Sequence, residues 1–553
     1  KYSFNEKLVD YLATLRDDIL NNLQDFKISE EAVPPVPPFM RVQREVSFAK
    51  YSVNVLVDNS GSQGAPVIYE PNPTYLNLFG RIEYKIQYGM AMTDFTMIKA
   101  GSLHRANGGY LVIDALALMK NLFSYDSLKR ALKGKEIRIE DVWEQYRLIT
   151  TTTLRPEPIP LNVKVILTGT PFLYYILYNY DDEYRELFKV KADFDTRMPR
   201  NEENIKKYAQ FIRLCQAEEE LLPFHKSAVA RIVEYGSRLA DHQEKLSPQF
   251  SSIADLIKEA NFWAKKDGEK IVYAQHVKKA LEQRFYRSAS IEEKLRELIL
   301  EDVLIVDTYD KKIGQINGLA VIDLGDYSFG KPSRITARTY LGKAGIVNIE
   351  REIKMSGRIH EKAVMILSSY LWSKYAIKKP ISLSASLTFE QLYEMIEGDS
   401  ATCAELYAIL SSIADVPLKQ SFAVTGSMDQ RGEVQPVGGI NEKIEGFFEL
   451  CRIRGLDGSH GVIIPRRNVK HLMLKEDIRK AIEDRAFHIY AIDYVDEGLE
   501  ILTDMKSGEL QPDGTYPEGT INYFVMKKLE EMSEALQKKE KEEEIKKKEE
   551  NSI

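Results

Sequence analysis

The chain has 553 residues, of which 44% are hydrophobic and 29% charged, and this composition is typical of a globular protein with several domains. Its formal net charge at pH 7 is -7, from 76 basic and 83 acidic residues, which argues against nucleic acid as a partner because there is no overall basic excess. The cysteines Cys215, Cys403 and Cys451 form no Cys-x-x-Cys pair, which argues against a disulfide framework and a zinc module.

No stretch of the sequence is long and apolar enough for a transmembrane helix, and the N-terminus lacks the apolar core of a signal peptide. We therefore expect a protein of the reducing cytoplasm with no membrane partner. The chain begins with Lys1 rather than Met, so we expect it to be processed or part of a longer protein.

Residues 1–40 predict a helix that ends before a proline cluster. Apolar residues recur at steps of three and four, as they do on one face of a helix, and they are Leu8, Tyr11, Leu12, Leu15, Ile19, Leu23 and Phe26. Four prolines between residues 34 and 38 then exclude a helix. The apolar stripe fits a helix packed on a core, and it also fits a coiled-coil arm.

Residues 41–200 alternate short apolar runs with helical stretches, which predicts an α/β domain. We predict strands at 51–58, 109–113 and 163–167, and helices at 126–132 and 181–188. Helical periodicity then dominates residues 201–295 and predicts an all-α domain, with helices at 205–221, 227–239, 253–265 and 274–286.

Residues 296–510 return to an α/β pattern. We predict strands at 319–324, 333–340, 421–425, 462–464 and 487–491, and helices at 359–372, 400–413 and 441–451. Residues 511–553 form a charged tail, in which Lys and Glu predominate from Met526 onward. This composition predicts a solvated helix or a disordered segment.

Ser400 lies in the sequence Gly-Asp-Ser-Ala, directly before a predicted helix. A serine in that position is typically an N-cap. The same position suits a nucleophile, because free N–H groups and the positive end of the helix dipole stabilise an oxyanion. Both interpretations remain open on the residues alone.

A serine nucleophile needs a base, and the nearest histidines in sequence, His360 and His460, lie far from Ser400. Lys443 is a candidate base because it follows a glycine-rich turn that can direct it inward. A lysine acts as a base near neutral pH only if burial or neighbouring cations lower its pKa. The alternative is an ordinary solvated lysine, and spacing alone does not join it to Ser400.

The sequence EGDSA at 397–401 and the sequence TGS followed by RGEVQPVGGINEK, ending at residue 443, resemble the proteolytic domain of the Lon family, in its archaeal or B-type branch. This resemblance implies that Ser400 is the nucleophile and Lys443 the general base of a Ser–Lys dyad. It gives Thr425 a supporting role, and it leaves Asp399 to bond locally, to hold Lys443 or to serve as a helix-start carboxylate. The similarity extends over about residues 300–505, including GQINGLAV at 314–321.

Residues 40–290 resemble the AAA+ module of the same family, with HRANGGYLVIDALALM at 104–119 similar to the Walker B region and KVILTGTP at 164–171 to the sensor-1 strand. The resemblance therefore implies a degenerate AAA+-like α/β domain at 41–200, an all-α lid domain at 201–295 and a C-terminal α/β Lon proteolytic domain at 296–510.

Several residues that ATP hydrolysis requires are replaced. No Gly-x-x-x-x-Gly-Lys-Ser/Thr loop occurs in the 553 residues. Asp114 is followed by Ala115 where the family has its activating Glu, Thr170 lies near the sensor-1 Asn position, and Gln249 stands where relatives tend to have Arg. Arg197 and Arg200 lie near the arginine-finger region, and salt bridges are their alternative role.

We therefore expect an ATP-independent Lon-like endopeptidase, similar to the LonC subgroup, with no cofactor and no metal. The resemblance implies a homohexameric chamber that cleaves unfolded polypeptides and peptides. Two alternatives remain open: an ATP-dependent Lon protease whose phosphate loop lies upstream, and a chaperone-like ring without peptidase activity. Tyr75, Leu78 and Phe79 fit an entry pore or a core equally well, and we predict the aromatic cluster at 174–180 to be core.

Overall fold

The computed structural model describes residues 5–26, 48–87, 90–140, 154–342, 344–376 and 383–550. The chain forms two compact units, residues 1–193 and 194–553. Within the described ranges, no helix combines the length and the apolar composition that are needed to cross a membrane.

The first unit contains a three-stranded parallel sheet in the order β1-β2-β3, formed by Val67–Glu70, Tyr110–Asp114 and Lys164–Thr168. The central strand β2 supplies the buried residues Leu111 and Ile113. The helices of this unit are α1 (Glu6–Asn21), α2 (Tyr75–Phe79), α3 (Ser102–Arg105), α4 (Ala115–Lys120), α5 (Ser124–Gly134), α6 (Pro171–Tyr180) and α7 (Asp182–Leu187). The predicted α/β alternation is confirmed at these elements.

The strand predicted at 51–58 is wrong. Phe48–Tyr51 forms a 3-10 turn, and residues 52–58 are irregular, with Val53 and Val55 exposed. The Asn54 side chain donates to the carbonyls of Phe95 (2.9 Å) and Ile98 (3.1 Å). The amide side chain of Asn54 thus holds this segment in place. The prediction failed because alternating apolar residues form a strand only where another strand lies beside them.

The predicted N-terminal helix is confirmed as α1, which begins where the Asn5 side chain accepts a hydrogen bond from the N–H of Leu8 (3.2 Å). None of its side chains is buried within the described part of the chain, and Tyr11, Leu12 and Leu20 are exposed. The expectation that this helix packs on a core is therefore wrong, and the coiled-coil arm stays a prediction.

The exposed fractions of two clusters of large hydrophobic residues in this unit test what the sequence predicted for them. Tyr75, Leu78 and Phe79 are buried in the core beside β2, so the pore interpretation is wrong. The cluster on α6 is largely exposed, with Tyr180 87% exposed, so the core interpretation is wrong there. Apolar residues cover every face of α6, and a helix at the edge of a small sheet buries one face only.

The second unit begins with a group of helices, as predicted. They are α8 (Glu202–Glu218), α9 (Lys226–Leu239), α10 (Phe250–Lys266), α11 (Ala274–Ser288) and α12 (Ser290–Leu300). Tyr208, Ile232, Leu256 and Val277 are among the residues that form their common core. We call α8 to α11 the helical domain.

A seven-stranded mixed sheet follows, with the order β6-β7-β5-β4-β8-β9-β10. Its strands are β4 (Gln315–Asp323), β5 (Ser328–Leu341), β6 (Gly345–Asn348), β7 (Leu383–Phe389), β8 (Phe422–Val424), β9 (Gly461–Pro465) and β10 (His488–Ile492). The pairs β4–β8, β8–β9 and β9–β10 are parallel, whereas β5 is antiparallel to both of its neighbours. Short antiparallel pairs elsewhere in the chain join Arg81–Ile82 to Ile98–Lys99, Lys85–Gln87 to Met90–Met92, Glu136–Ile137 to Ile159–Pro160, Met198–Pro199 to Lys245–Leu246, Lys311–Lys312 to Leu418–Lys419 and Ser427–Met428 to Val434–Gln435.

Helices cover both faces of this sheet. They are α13 (Ile349–Glu352), α14 (Arg358–Tyr375), α15 (Thr402–Ala414), α16 (Ile440–Arg454), α17 (Glu476–Glu483), α18 (Val495–Thr503) and α19 (Ile521–Glu550). Along β8, Phe422 and Val424 pack with α15, whereas Ala423 packs with α16. Because side chains alternate along a strand, α15 and α16 lie on opposite faces of the sheet.

The charged C-terminal stretch is helical, which agrees with the first of its two predictions, a solvated helix. The first turns of this helix are nevertheless buried. Ile521, Val525, Met526 and Leu529 of α19 are buried in the core that contains α15. These apolar residues precede and overlap the start of the Lys/Glu composition, so the core extends into the segment that was predicted to be solvent-exposed.

Helix α16 lies in direct contact with strand β5, because glycines meet at their crossing. A Cβ added to Gly446 would lie 2.1 Å from the carbonyl oxygen of Gly330, and one added to Gly330 would lie 2.0 Å from the carbonyl oxygen of Glu442. Both contacts are with backbone, which has little freedom to move. The close crossing therefore requires glycine at both positions.

We expect Gly446→Ala to lower the free energy of unfolding of the second unit by about 1–3 kcal/mol, because the methyl group forces α16 away from β5. The measurement is the midpoint of thermal unfolding. Gly438→Ala is the matched control, since a Cβ there would meet nothing within 4 Å and its φ is not positive. An unchanged midpoint in Gly446→Ala would show that the crossing tolerates a side chain.

Candidate active site

Ser400 lies in the turn that leads into α15, just beyond Gly398, whose φ is +98°. Its carbonyl accepts hydrogen bonds from the N–H of Gly426 (2.8 Å) and from Thr425 Oγ1 (3.2 Å). The serine is partly exposed, whereas α15 is buried over most of its length. The turn is therefore fixed by backbone contacts while the side chain stays accessible.

The N-cap interpretation of Ser400 is wrong. The cap position of α15 is Ala401, and the carbonyl of Asp399 accepts the N–H of Thr402 (3.2 Å) and its hydroxyl (2.5 Å). In the described part of the chain, neither the Ser400 hydroxyl nor the N–H groups of Ser400 and Ala401 bond to a protein group. A hydroxyl and two backbone donors of neighbouring residues therefore lack protein partners in this turn, and donors of this kind are what an acyl-transfer site uses to bind an oxyanion.

Lys443 lies in the first turn of α16, on the opposite face of the sheet. The helix starts at Gly439, whose φ of +63° favours glycine, and the Lys443 N–H bonds to the Gly439 carbonyl (3.0 Å). The Lys443 side chain is only 3% exposed, so the interpretation as a solvated lysine is wrong. Burial lowers its pKa to about 8, while the negative charge of Asp399 acts in the opposite direction.

Thr425 brings the two predicted residues together. It follows β8 directly, at the carboxyl end of that strand, where α15 and α16 both begin. Lys443 Nζ donates to Thr425 Oγ1 (3.1 Å), and the same hydroxyl donates to the carbonyl of Ser400 (3.2 Å). The lysine amine and the serine backbone are thus held by one oxygen atom.

Asp399 does not bond to Lys443 directly. Its Oδ2 accepts a hydrogen bond from Ser427 Oγ (2.7 Å), and its charge still favours protonated Lys443. The Asp399 carboxylate therefore bonds neither to a neighbour in sequence nor to Lys443, but to a residue 28 positions away. Ser427 was missed as its partner, although it belongs to the same Thr-Gly-Ser motif as Thr425.

A buried polar group behind the nucleophile turn was also missed. Glu405, in the first turn of α15, lies 2.7 Å from His360 Nε2, and His360 Nδ1 lies 3.0 Å from Ser356 Oγ. Burial acts to lower the pKa of His360, but the bond to Glu405 and its charge raise it overall. Gly357 and Ile396 also bond through their backbones (2.7 Å), so this group fixes the turn. The sequence contained these residues but gave no signal that they meet.

The residues of the AAA+-like part have structural contacts of their own. Asp114 Oδ1 accepts the N–H of Ala117 (2.7 Å) and caps α4, while Ala115 is buried. Thr170 similarly caps α6 through the N–H of Leu173 (3.4 Å).

In the second unit, Gln249 stands before α10 without a side-chain cap bond. Arg200 donates to the carbonyl of Gln243 (3.2 Å), and neither Arg197 nor Arg200 forms an ion pair within the described residues.

Three family models match the chain. They are a LonB-like AAA domain over residues 63–195, an archaeal LonB AAA+ ATPase lid domain over 223–287 and the Lon protease (S16) C-terminal proteolytic domain over 395–504. A putative Lon protease homolog of Escherichia coli (strain K12) is 34% identical over 417 residues, which cover 74% of this chain and 69% of the relative. The chain belongs to the Lon protease family.

Two further relatives share a lower identity with this chain. A putative Lon protease homolog of Haemophilus influenzae is 29% identical over 444 residues, with 79% of this chain and 72% of the relative covered. An archaeal Lon protease of Archaeoglobus fulgidus is 29% identical over 462 residues, with 82% and 70% covered. The predicted fold class is thereby confirmed: an AAA-like domain, a helical lid domain and a C-terminal Lon protease domain.

We expect Thr425→Val to lower peptidase activity about tenfold to a hundredfold, because a small displacement of catalytic groups has effects of that size. The change keeps the side-chain volume but removes the oxygen that joins Lys443 to Ser400. Cleavage of a fluorescence-quenched peptide measures the effect, and Thr425→Ser, which keeps the hydroxyl, is the control. Equal activity of Val and Ser variants would contradict a role for this hydroxyl.

Proposed function

We propose that the chain is a serine endopeptidase in which Ser400 is the nucleophile and Lys443 the general base. The observation that carries this proposal is the buried Lys443 amine, which has a lowered pKa and shares the Thr425 hydroxyl with the Ser400 backbone. A lysine with a pKa near 8 is neutral in about a tenth of the molecules at pH 7, and in this form it can accept a proton.

In acylation, neutral Lys443 removes the proton from the Ser400 hydroxyl as the serine oxygen attacks the peptide carbonyl. We propose the N–H groups of Ser400 and Ala401 as the donors to the oxyanion, because neither is used by a backbone hydrogen bond in the described part of the chain. Protonated Lys443 then gives its proton to the leaving amine as the C–N bond breaks. The new N-terminus departs, and the carbonyl remains as an ester on Ser400.

In deacylation, Lys443 is neutral again and removes a proton from a water molecule, whose oxygen attacks the ester. Lys443 returns that proton to Ser400 Oγ as the C–O bond breaks and the carboxylic acid is released. Since Asp399 is hydrogen-bonded to Ser427, its charge stays near the site and stabilises Lys443 while it holds the proton within each step.

We further propose that this peptidase does not require ATP hydrolysis and needs no metal. Three features support the proposal: the Asp114 carboxylate is used as a helix cap, buried Ala115 has no carboxylate to activate water, and Gln249 lacks the positive charge of an arginine. The AAA-like domain then has a structural role, as in the LonC subgroup that the sequence resembles.

The proposed assembly is a cytoplasmic homohexamer whose peptidase sites face an enclosed chamber. A closed ring without ATP-driven unfolding admits chains that are already unfolded. We therefore propose unfolded polypeptides and peptides as substrates.

We expect the purified chain to degrade unfolded casein without ATP and Mg²⁺, and the Ser400→Ala variant to be inactive while keeping its fold. The measurement is casein cleavage by both proteins with and without ATP–Mg²⁺, with circular dichroism as the control for folding. Cleavage only with ATP would favour an ATP-dependent Lon protease. Binding of casein without cleavage under either condition would favour a chaperone-like ring.

The pH dependence tests the assignment of the base. Protonated Lys443 is inactive, so kcat/KM should rise about tenfold per pH unit below about 8 and level off above it. Asp399→Asn removes a negative charge that stabilises protonated Lys443, so its rising limb should move to lower pH. A limb that stays in place in Asp399→Asn, or that reports a pKa far from 8 in the wild type, would contradict Lys443 as the base.

A further inference from the structure

Arg238, which lies near the end of α9 in the helical domain, binds the first turns of α16. Arg238 Nη1 lies 2.5 Å from Glu445 Oε1, and Nη2 lies 3.0 Å from Glu445 Oε2. The same Nη2 lies 3.3 Å from Glu442 Oε1, and Nη1 also donates to the carbonyl of Met473 (2.8 Å). One largely buried guanidinium thus holds two carboxylates of α16.

A second contact acts on the same turn. Asn441, which is 1% exposed, donates from Nδ2 to Asp241 Oδ1 (2.8 Å) and to the carbonyl of His471 (2.9 Å). Its Oδ1 accepts the N–H of Met473 (2.6 Å). Asp241 follows α9 by two residues, so the helical domain contacts α16 at consecutive points.

The residues that Arg238 holds flank Lys443 in the sequence, but their side chains point away from its side chain. Glu442 precedes it by one residue and Glu445 follows by two, and residues so spaced on a helix point in different directions. The carboxylates point to Arg238, while Lys443 Nζ points to Thr425 on the other side of the helix. A rotation or shift of this rigid turn therefore moves the amine.

We propose that Arg238 is a positioning residue for the peptidase reaction: by holding Glu442 and Glu445, it fixes the rotation of α16 at which Lys443 reaches Thr425 and Ser400. The inference rests on the proposed function, since it takes Lys443 as the base. In this role the helical domain needs no nucleotide: it holds the helix that carries Lys443, the proposed general base. A bidentate arginine suits the task because its planar fork fixes direction as well as distance.

Arg231 provides a matched control on the same helix. It pairs with Glu476 at 2.9 Å, so it also links the helical domain to the proteolytic domain by an ion pair. Glu476 belongs to α17, and Arg231 forms no ion pair with α16 in the described part of the chain. Loss of Arg231 weakens the contact between the domains without freeing the turn that carries Lys443.

The experiment measures kcat and KM for a fluorescence-quenched short peptide with full-length Arg238→Met, Arg238→Lys, Arg231→Met and Ser400→Ala, each checked for folding by thermal unfolding. For Arg238→Met we expect kcat to fall about tenfold or more with KM unchanged, because the base is displaced but the substrate site is not. Arg238→Lys should recover part of that loss, since it keeps the charge but not the fork. Arg231→Met should keep the wild-type kcat.

The outcomes separate the two proposals. Wild-type kcat in Arg238→Met, an effect on KM alone, or equal losses in Arg238→Met and Arg231→Met would overturn the role of Arg238. Retained activity in Ser400→Ala would instead overturn the proposed function. If Arg238→Met does not fold, Glu442→Met decides, because it removes the oxygen that lies 3.3 Å from Arg238 Nη2 and leaves the Glu445 pair in place. A lower kcat at unchanged KM in Glu442→Met supports the proposal, and a wild-type kcat overturns it.

Discussion

The close packing of helix α16 on strand β5 is the constraint on which the candidate site depends. Gly446 and Gly330 let the two backbones meet without side chains between them, and a Cβ on Gly330 would lie 2.8 Å from the Cα of Lys443, which is itself buried. Removal from water disfavours the charged amine, so burial lowers the pKa of Lys443 to about 8. The position of Lys443 in this packed crossing therefore goes together with its lowered pKa.

The sheet topology explains how residues on opposite faces meet. Ser400 leads into α15 on one face and Lys443 lies in α16 on the other, and both helices begin beyond the carboxyl end of β8. In open sheets with parallel strands, sites form at that edge because helix starts and strand ends converge there. Thr425, the first residue after β8, is within hydrogen-bond distance of both sides.

Two polar residues in the motifs of the AAA-like domain have structural contacts in the fold. Asp114 and Thr170 each cap a helix, so both keep a structural role whether or not nucleotide is hydrolysed. The helical domain likewise holds α16 through Arg238.

The sequence by itself determined the order of α/β, helical and α/β segments, most helices within a few residues, and the family, because periodicity and the motifs around Ser400 and Lys443 are local features. It did not determine which apolar stretches find partners. The segment at 51–58 lacks a neighbouring strand, and the α6 tyrosines lie at an edge, although both look like core in sequence. Only the tertiary structure joined Thr425 to both candidate catalytic residues and brought Arg238 onto α16, since those contacts link residues up to 207 positions apart. Burial, which lowers the pKa of Lys443, is a property of the packed fold and has no signature in the residues beside it.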